Sequence, residues 1–334
     1  MRGSRERVRA CALVIALAVV AIGCGDGSVA GEGQTSAAKS AGAARWRNLA
    51  PSTIGRTEVS AARIGHAVYV IGGFAEPDGV TSNVVERYDL ERNRWTRAAP
   101  LPIAVNHAAA VAYRGSLYVV GGYAAANGLS RETGALQRYD PKTARWTRLR
   151  DAPTARGAHV AGVIGVRMYV VGGAENGKAL DRLEIYDFQT DRWSTGPPMR
   201  LPREHLAAAV HDAKLYAIAG RAAGKGNFAV VERYVPARRR WERVPKLRKP
   251  RGGIAAVTVA GRIVVVGGEE AAGTIAEVES YHPPTRRWRF RRRLPTPRHG
   301  LGAIAHKGSI HVLEGGPTPG LSYSRRAEAL RIAP

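Results

Sequence analysis

The chain has 334 residues, 45% of them hydrophobic, so a sizeable core is available for one large domain or two ordinary ones. Its 39 glycines and three methionines argue against a fold of long helices and favour many short strands and turns. The formal net charge of +24 predicts attraction to polyanions and anionic membrane surfaces, although a solvated basic surface without a particular partner also explains it.

The N-terminus has the layout of a secretory signal peptide, with a basic start at 1–9 and an apolar run at 10–22. That run is short for a membrane-spanning helix, which needs about 20 residues. Residues 21–24 (Ala-Ile-Gly-Cys) resemble a bacterial lipobox, in which the signal is cut before the cysteine and the cysteine is lipidated. We therefore predict a lipoprotein-type signal peptide at 1–23, lipidation of Cys24 and a lipid-anchored location in the cell envelope. An ordinary secretory signal and an uncleaved anchor are the alternatives.

Residues 24–44 are rich in glycine, serine and alanine and are expected to form a flexible tether. The two cysteines are Cys11, inside the apolar run, and Cys24. The folded part is then expected to lack cysteine. Disulfides, thiol chemistry and thiolate metal sites are thereby excluded from it.

A repeat fills the remainder of the chain. Six tryptophans follow one another at spacings of 47 to 51 residues, each directly after an arginine, and a tyrosine stands seven residues before five of them. The tryptophans are Trp46, Trp95, Trp146, Trp193, Trp241 and Trp288. Apolar runs that end in a glycine pair keep the same interval, at 72–73, 121–122, 172–173 and 267–268. Two copies are degenerate, Ala219-Gly220 and Glu314-Gly315.

This pattern resembles the kelch repeat, whose period is about 50 residues. The resemblance covers residues 45–334 and implies an all-β fold, a six-bladed kelch β-propeller of the bacterial exported or lipoprotein type. Each repeat is expected to form four antiparallel strands, a to d from the axis outward. Strand b ends at the glycine pair, strand c carries the tyrosine and strand d the tryptophan. Because tryptophan and tyrosine recur in the copies, we interpret them as packing between blades rather than as a ligand site.

The two ends of the repeat region complement each other. Residues 327–331 align with strand c, and no tryptophan follows them, whereas residues 45–51 match only a strand d. We therefore predict that the N-terminal segment supplies the fourth strand of the last blade. Such closure covers the edges that an open array of sheets would expose.

A further arginine recurs sixteen residues before the first position of the glycine pair, except in the second copy, which has Val105. It begins strand a, and in kelch proteins this position often lines the ligand-binding face. We therefore expect these arginines to ring the mouth of the channel and to suit carboxylate, sulfate or phosphate groups. The predicted ligand set is Arg56, Arg156, Arg203, Arg251 and Arg298, with His107 and His205 nearby.

The alternative is that each arginine pairs locally with a glutamate. A glutamate stands two residues before the tyrosine in four copies, Glu328 holds the matching place in the last, and the second copy has Gln137. A recurring buried carboxylate usually has a recurring cationic partner. The recurring glutamates are Glu86, Glu184, Glu232, Glu279 and Glu328.

Fold does not dictate function. The main hypothesis is a binding module, monomeric and without cofactor, metal or catalytic residues, which holds an acidic carbohydrate or a protein partner on its arginine-lined face. The variable loops between strands b and c share that face and support recognition. An anionic envelope surface is a further expected partner, whereas a specific nucleic acid is not, since the arginine-rich stretch 286–293 contains the repeat tryptophan Trp288.

Two enzyme hypotheses come from the kelch resemblance. One is a sugar mutarotase or epimerase resembling the kelch-type N-acetylneuraminate enzyme, in which Arg156 or Arg203 would grip the carboxylate and a glutamate or histidine at the mouth would move a proton. The other is an oxidase resembling galactose oxidase, which is rejected because that family needs a cysteine crosslinked to tyrosine.

Overall fold

The computed structural model describes residues 45–333. The predicted signal peptide at 1–23, the tether at 24–44 and the lipidation site Cys24 lie outside the described residues and remain predictions. Within the described range the only helical element is a 3₁₀ turn at Pro236–Arg238. None of the helical structure there is long and apolar enough to cross a membrane.

The described residues form six antiparallel sheets, or blades, of four main strands each, and blades 3 and 5 carry a short fifth strand. In the order a, b, c, d the strands are Ser60–Ile64, Ala67–Ile71, Val85–Asp89 and Arg94–Arg97 in blade 1; Ala109–Tyr113, Ser116–Val120, Leu136–Asp140 and Arg145–Leu149 in blade 2; Gly157–Ile164, Arg167–Glu175, Leu183–Asp187 and Arg192–Gly196 in blade 3; Ala207–His211, Lys214–Ile218, Val231–Val235 and Arg240–Val244 in blade 4; Gly252–Val259, Arg262–Glu270, Glu279–His282 and Arg287–Phe290 in blade 5; Gly302–His306, Ser309–Leu313, Ala327–Arg331 and Trp46–Asn48 in blade 6.

Short strands accompany the loops at one end of the blades: Arg56–Thr57, Phe74–Ala75, Val80–Thr81, Lys178–Ala179, Arg221–Ala222, Gly226–Asn227 and Gly273–Thr274. Each strand a lies beside strand a of the next blade, and that of blade 6 lies beside that of blade 1. The six inner strands therefore surround an axis, and the all-β propeller predicted from the repeats is confirmed.

The tryptophans join neighbouring blades. Each of the six indole N–H groups donates a hydrogen bond of 2.6 to 3.2 Å to a backbone carbonyl just after strand d of the preceding blade. In five blades the ring also packs on the tyrosine of strand c, with ring centroids 4.9 to 5.4 Å apart. The interpretation of these residues as packing between blades is confirmed.

The last blade is closed by the N-terminal segment, as predicted. Trp46 pairs with Leu330 and Asn48 with Glu328 in antiparallel register. Trp46 also packs on the apolar core between blades 5 and 6. The two ends of the described chain thus share one sheet.

Glycine is required where strand b ends. Gly72 has a φ of +63°, and a Cβ there would lie 2.3 Å from the carbonyl oxygen of Val105 in the next blade. That same oxygen accepts a hydrogen bond from the backbone N–H of Gly73 at 2.9 Å. The glycine pair therefore permits a close backbone contact between adjacent blades.

Candidate functional site

A ring of six residues, one from each blade, surrounds the axis where strand a begins. We call this end of the propeller the mouth face. All six have a left-handed backbone conformation, with φ between +49° and +68°. Each backbone N–H after the first donates to the carbonyl of the preceding member at 2.9 to 3.1 Å, and Val59 N–H closes the circle on Gly300 at 3.2 Å. The ring consists of Glu58, His107, Ala158, His205, Gly253 and Gly300.

The five recurring arginines do not line the mouth. Their exposed fractions are 0 to 1%, and each guanidinium lies within its blade against the recurring glutamate. The N–O distances are 2.6 to 3.0 Å in blades 1, 4, 5 and 6, and Arg156 pairs in the same way with Glu184. The prediction that Arg56, Arg156, Arg203, Arg251 and Arg298 ring the mouth is wrong, because a buried guanidinium needs a carboxylate partner and finds one locally. The alternative of local pairing is confirmed.

The second blade supports this structural role. It has Val105 in place of the arginine and Gln137 in place of the glutamate. The side chain of Gln137 accepts a hydrogen bond from the backbone N–H of Ile103 at 3.0 Å. Both charged partners are therefore replaced together, and no buried charge is left alone.

The structure brings His107 and His205 together on the axis with Glu58. The Nε2 atoms of the two histidines are 2.9 Å apart, and His107 Nε2 is 3.1 Å from Glu58 Oε2. His299 Nδ1 lies 3.0 Å from the other oxygen, Glu58 Oε1. All four side chains are nearly buried. The ligand-binding role of His107 and His205 stays a prediction.

Further polar groups surround this cluster. His205 Nδ1 contacts the carboxylate of Glu204, which accepts a hydrogen bond from Arg221 Nε at 3.0 Å. A second nitrogen of Arg221 lies 2.7 Å from Glu269. His107 Nδ1 lies 2.7 Å from Asn106 Oδ1. Three carboxylates thus face one arginine around the mouth.

The electrostatics of the cluster differ from residue to residue. Burial opposes ionisation of Glu58, but His107, His205 and His299 together hold its pKa below the ordinary value. Burial lowers the pKa of His107 and, more strongly, of His205. Burial also opposes the charged form of His299, yet its hydrogen bond and charge interaction with Glu58 raise its pKa. Glu58 and His299 are therefore the pair in which each charged form favours the other.

Sequence reasoning missed Glu58, although a signal was present. Glu58 stands two residues after Arg56, just as His205 stands two residues after Arg203, so the three axial residues share one position of the repeat. We also predicted no metal site, yet Glu58, His107 and His205 place one donor atom each within 4.8 Å of one another. The repeat register, applied to every copy, would have grouped these three residues.

A cavity of about 190 Å³ lies above the cluster. Its lining includes Phe74, Leu129, Arg221 and Leu321 besides the charged groups. Leu129 and Leu321 are 51% and 61% exposed at its rim, and Val80 on the loop between strands b and c of blade 1 is 45% exposed. The mouth therefore has a polar floor and an apolar rim.

Comparison with known proteins identifies the repeats. The model of the KLHDC2/KLHL20/DRC7 Kelch-repeats domain matches residues 58–249, and the Kelch motif model matches residues 250–295. The Kelch-like protein terF of Aspergillus terreus is 30% identical over 239 residues, which are 66% of this chain and 52% of that protein. Kelch-like protein 34 of Homo sapiens is 33% identical over 96 residues, 28% of this chain and 15% of that protein. The match therefore spans about half the length of the first relative and less of the second.

A solved structure, "Structure of YjhT", has a TM-score of 0.74 and 17% sequence identity, and the match covers 85% of this chain and 97% of that one. At this identity the likeness concerns the fold.

Proposed function

We propose that this chain, which belongs to the kelch-repeat family, is an exported, lipid-anchored binding module that holds a protein partner on its mouth face. Kelch propellers typically serve as protein-binding modules. The function of this chain must be argued from its own surface, since one fold carries many activities.

The observation that carries the proposal is the apolar rim. Four large hydrophobic side chains in the described range are strongly exposed, and three of them, Val80, Leu129 and Leu321, lie on the mouth loops. These loops adjoin one another: Thr81 donates to the carbonyl of Ala126, and Gly79 abuts Leu321. Apolar side chains grouped around a concave polar floor are typical of a surface that buries a partner.

An acidic carbohydrate finds less support at this face. The guanidinium groups expected to hold it are buried and paired. Arg221, the arginine that lines the cavity, is engaged by Glu204 and Glu269. Around the cavity three carboxylates would repel an acidic ligand at close range.

The test is a peptide-display selection against the purified protein, followed by affinity measurements on the selected peptides. The variants Leu129→Asp and Leu321→Asp should weaken binding at least 10-fold, because each places a charge in an apolar contact. Phe290→Asp is the matched control, since Phe290 is 49% exposed on the outermost strand of blade 5 and does not line the mouth cavity. Equal affinity of all three variants, or loss in the Phe290 variant alone, would contradict a mouth-face interface.

Export and anchoring rest on the lipobox-like segment that ends at Cys24. The described chain enters at Trp46, which pairs with Leu330 at the end of strand c, on the side opposite the mouth. The variant Cys24→Ser should move the protein from the membrane fraction to the soluble fraction, and an unchanged membrane fraction would refute the anchor.

A second candidate is the sugar mutarotase. The geometry favours it, because the Glu58 carboxylate and the imidazoles of His107 and His205 lie together at the floor of the mouth cavity, where they would meet a bound sugar. The carboxylate grip assigned to Arg156 or Arg203 is not available from buried, paired side chains. NMR measurement of anomer exchange in N-acetylneuraminate decides this: acceleration that Glu58→Gln abolishes would establish the enzyme, and an uncatalysed rate would exclude it.

A further inference from the structure

The donor atoms of Glu58, His107 and His205 are arranged as in a metal site. His107 Nε2 lies 3.1 Å from Glu58 Oε2 and 2.9 Å from His205 Nε2, and the three atoms lie within 4.8 Å of one another. Zinc binds imidazole nitrogen and carboxylate oxygen at about 2.0 to 2.2 Å, so tetrahedral neighbours lie roughly 3.3 Å apart. Two of the three separations are close to that spacing.

Outer hydrogen bonds decide which nitrogen of each histidine carries the proton. His205 Nδ1 contacts the carboxylate of Glu204, which can only accept, so the proton lies on Nδ1. His107 Nδ1 likewise donates to Asn106 Oδ1 at 2.7 Å, while the amide nitrogen of Asn106 donates to Thr81 Oγ1 at 2.8 Å. His205 Nε2 is then an acceptor, and His107 Nε2 faces two acceptors, His205 Nε2 at 2.9 Å and Glu58 Oε2 at 3.1 Å. The three atoms therefore need a shared cation, which is either a proton on His107 or a metal ion.

The outer partners are themselves fixed. Arg221 holds Glu204 through Nε at 3.0 Å, and His299 holds the second oxygen of Glu58 at 3.0 Å. Hydrogen bonds of this kind orient metal-binding imidazoles and carboxylates in proteins. The side chains that face the cluster with charge are Glu58, Glu204, Glu269, Arg221 and His299, so an added cation meets more negative than positive groups.

The ring also leaves room on the open side. Three ring positions carry the donors, and the other three are Ala158, Gly253 and Gly300, which present at most a methyl group. A cavity of about 100 Å³ lies among them, continuous in lining with the larger one above. A metal held by three side chains would keep a free position toward this space, which is the arrangement of sites that bind a further ligand.

We propose that Glu58, His107 and His205 bind one divalent transition-metal ion of the zinc type at the floor of the mouth cavity. Two imidazoles and a carboxylate suit such ions, whereas calcium and magnesium prefer all-oxygen sites. This inference is independent of the protein partner proposed above, because the rim and the floor are tested by different variants and different probes.

The experiment is isothermal titration of the chelator-treated full chain with Zn²⁺, with Ca²⁺ and Mg²⁺ as comparison ions. The expected result is one Zn²⁺ per chain and no saturable binding of the other two. His205→Ala and Glu58→Gln should each lower the Zn²⁺ affinity at least 10-fold, and Asn106→Ala, a positioning variant, should lower it 10- to 100-fold. The matched control is His66→Ala, since the His66 side chain is 52% exposed and remote from the mouth.

The proposal is overturned if Zn²⁺ does not bind saturably to the wild-type protein, or if His205→Ala binds it as tightly as His66→Ala does. A measurement on the wild-type protein alone keeps the proposal testable even if the variants fail to fold. In ¹⁵N-histidine NMR spectra, Zn²⁺ should shift the Nε2 signals of two histidines while their Nδ1–H signals persist. An Nε2–H proton that stays bound in the presence of Zn²⁺ would show that a proton, not a metal, joins the two imidazoles.

Discussion

Glu314 occupies the first position of the degenerate glycine pair in blade 6 and offers a sharp test of the buried ion pairs. It is fully buried, and its Oε1 lies 3.0 Å from Arg56, which also pairs with Glu86 at 3.0 Å. The other oxygen has no hydrogen-bond partner among the described residues. One guanidinium therefore serves two carboxylates.

Burial raises the pKa of Glu314 from 4.5 to about 7, and the charge of Glu86 adds to the effect, although Arg56 opposes it. The folded state then binds a proton more tightly than the unfolded state between these pH values. Stability from this group is fully present below pH 4.5 and is lost as pH rises through 7. At about 1.4 kcal/mol per pH unit, the loss between pH 5 and pH 8 is roughly 2 to 3 kcal/mol.

The variant Glu314→Gln keeps the shape of the side chain and removes its titration. Urea unfolding followed by tryptophan fluorescence, at pH 5 and pH 8, gives the free energy of unfolding of both proteins. The variant should gain roughly 2 to 3 kcal/mol relative to wild type on going from pH 5 to pH 8. Glu91→Gln, at a side chain that is 54% exposed, should show no such change. Parallel pH dependence of wild type and Glu314→Gln, within about 0.5 kcal/mol, would refute the raised pKa.

Two further predictions concern the scaffold. Deletion of residues 45–50 removes strand d of blade 6 and should lower the melting temperature by more than about 10 °C, whereas an unchanged melting temperature would show that the ring does not need this closure. Gly72→Ala should lower the free energy of unfolding in urea by about 2 to 3 kcal/mol, because its Cβ would lie 2.3 Å from a carbonyl oxygen. Gly65→Ala, with a φ of +56° but open space around it, should lower it by only about 1 kcal/mol. Equal losses in the two variants would show that the close contact is not the reason for the glycine.

The fold could be predicted from the sequence because each blade of a propeller repeats the same residue pattern. No strand c precedes Trp46, and no tryptophan follows Leu330, so the two incomplete repeats were predicted to complete one blade. The structure pairs these two residues. The spacing of the tryptophans sets the number of blades, since each indole joins two neighbours. The number of blades and the closure of the last blade therefore follow from the sequence alone.

The arginines were misplaced because a repeat locates a residue on a strand but does not say which way its side chain points. Arg156 directly precedes strand a, near the mouth, yet its guanidinium turns into the blade toward Glu184. One observation in the sequence favoured pairing: Val105 and Gln137 depart from the pattern in the same blade. A simultaneous change is expected of partners and not of independent ligands.

The sequence predicted only part of the axial cluster of Glu58, His107 and His205. His107 and His205 were predicted near the mouth, but the meeting of their Nε2 atoms at 2.9 Å depends on the diameter of the ring, which no single repeat specifies. Glu58 was overlooked because it is chemically unlike the residues at the same position in the other blades. A binding site on a repeat fold is built from such differences.

Recurring residues therefore stabilise the ring, and we propose that the differing residues at the mouth bind. Differential scanning calorimetry of wild type, Arg203→Met and His205→Ala, each with and without Zn²⁺, tests this separation directly. Arg203→Met leaves the buried carboxylate of Glu232 without its partner, at a cost of about 3 to 5 kcal/mol in the free energy of unfolding. This variant should melt on the order of 10 °C lower than wild type. Zn²⁺ should still raise its melting temperature as it does in wild type. His205→Ala should melt within a few degrees of wild type and show no rise with Zn²⁺. A Zn²⁺ effect that is lost in Arg203→Met but kept in His205→Ala would contradict the account.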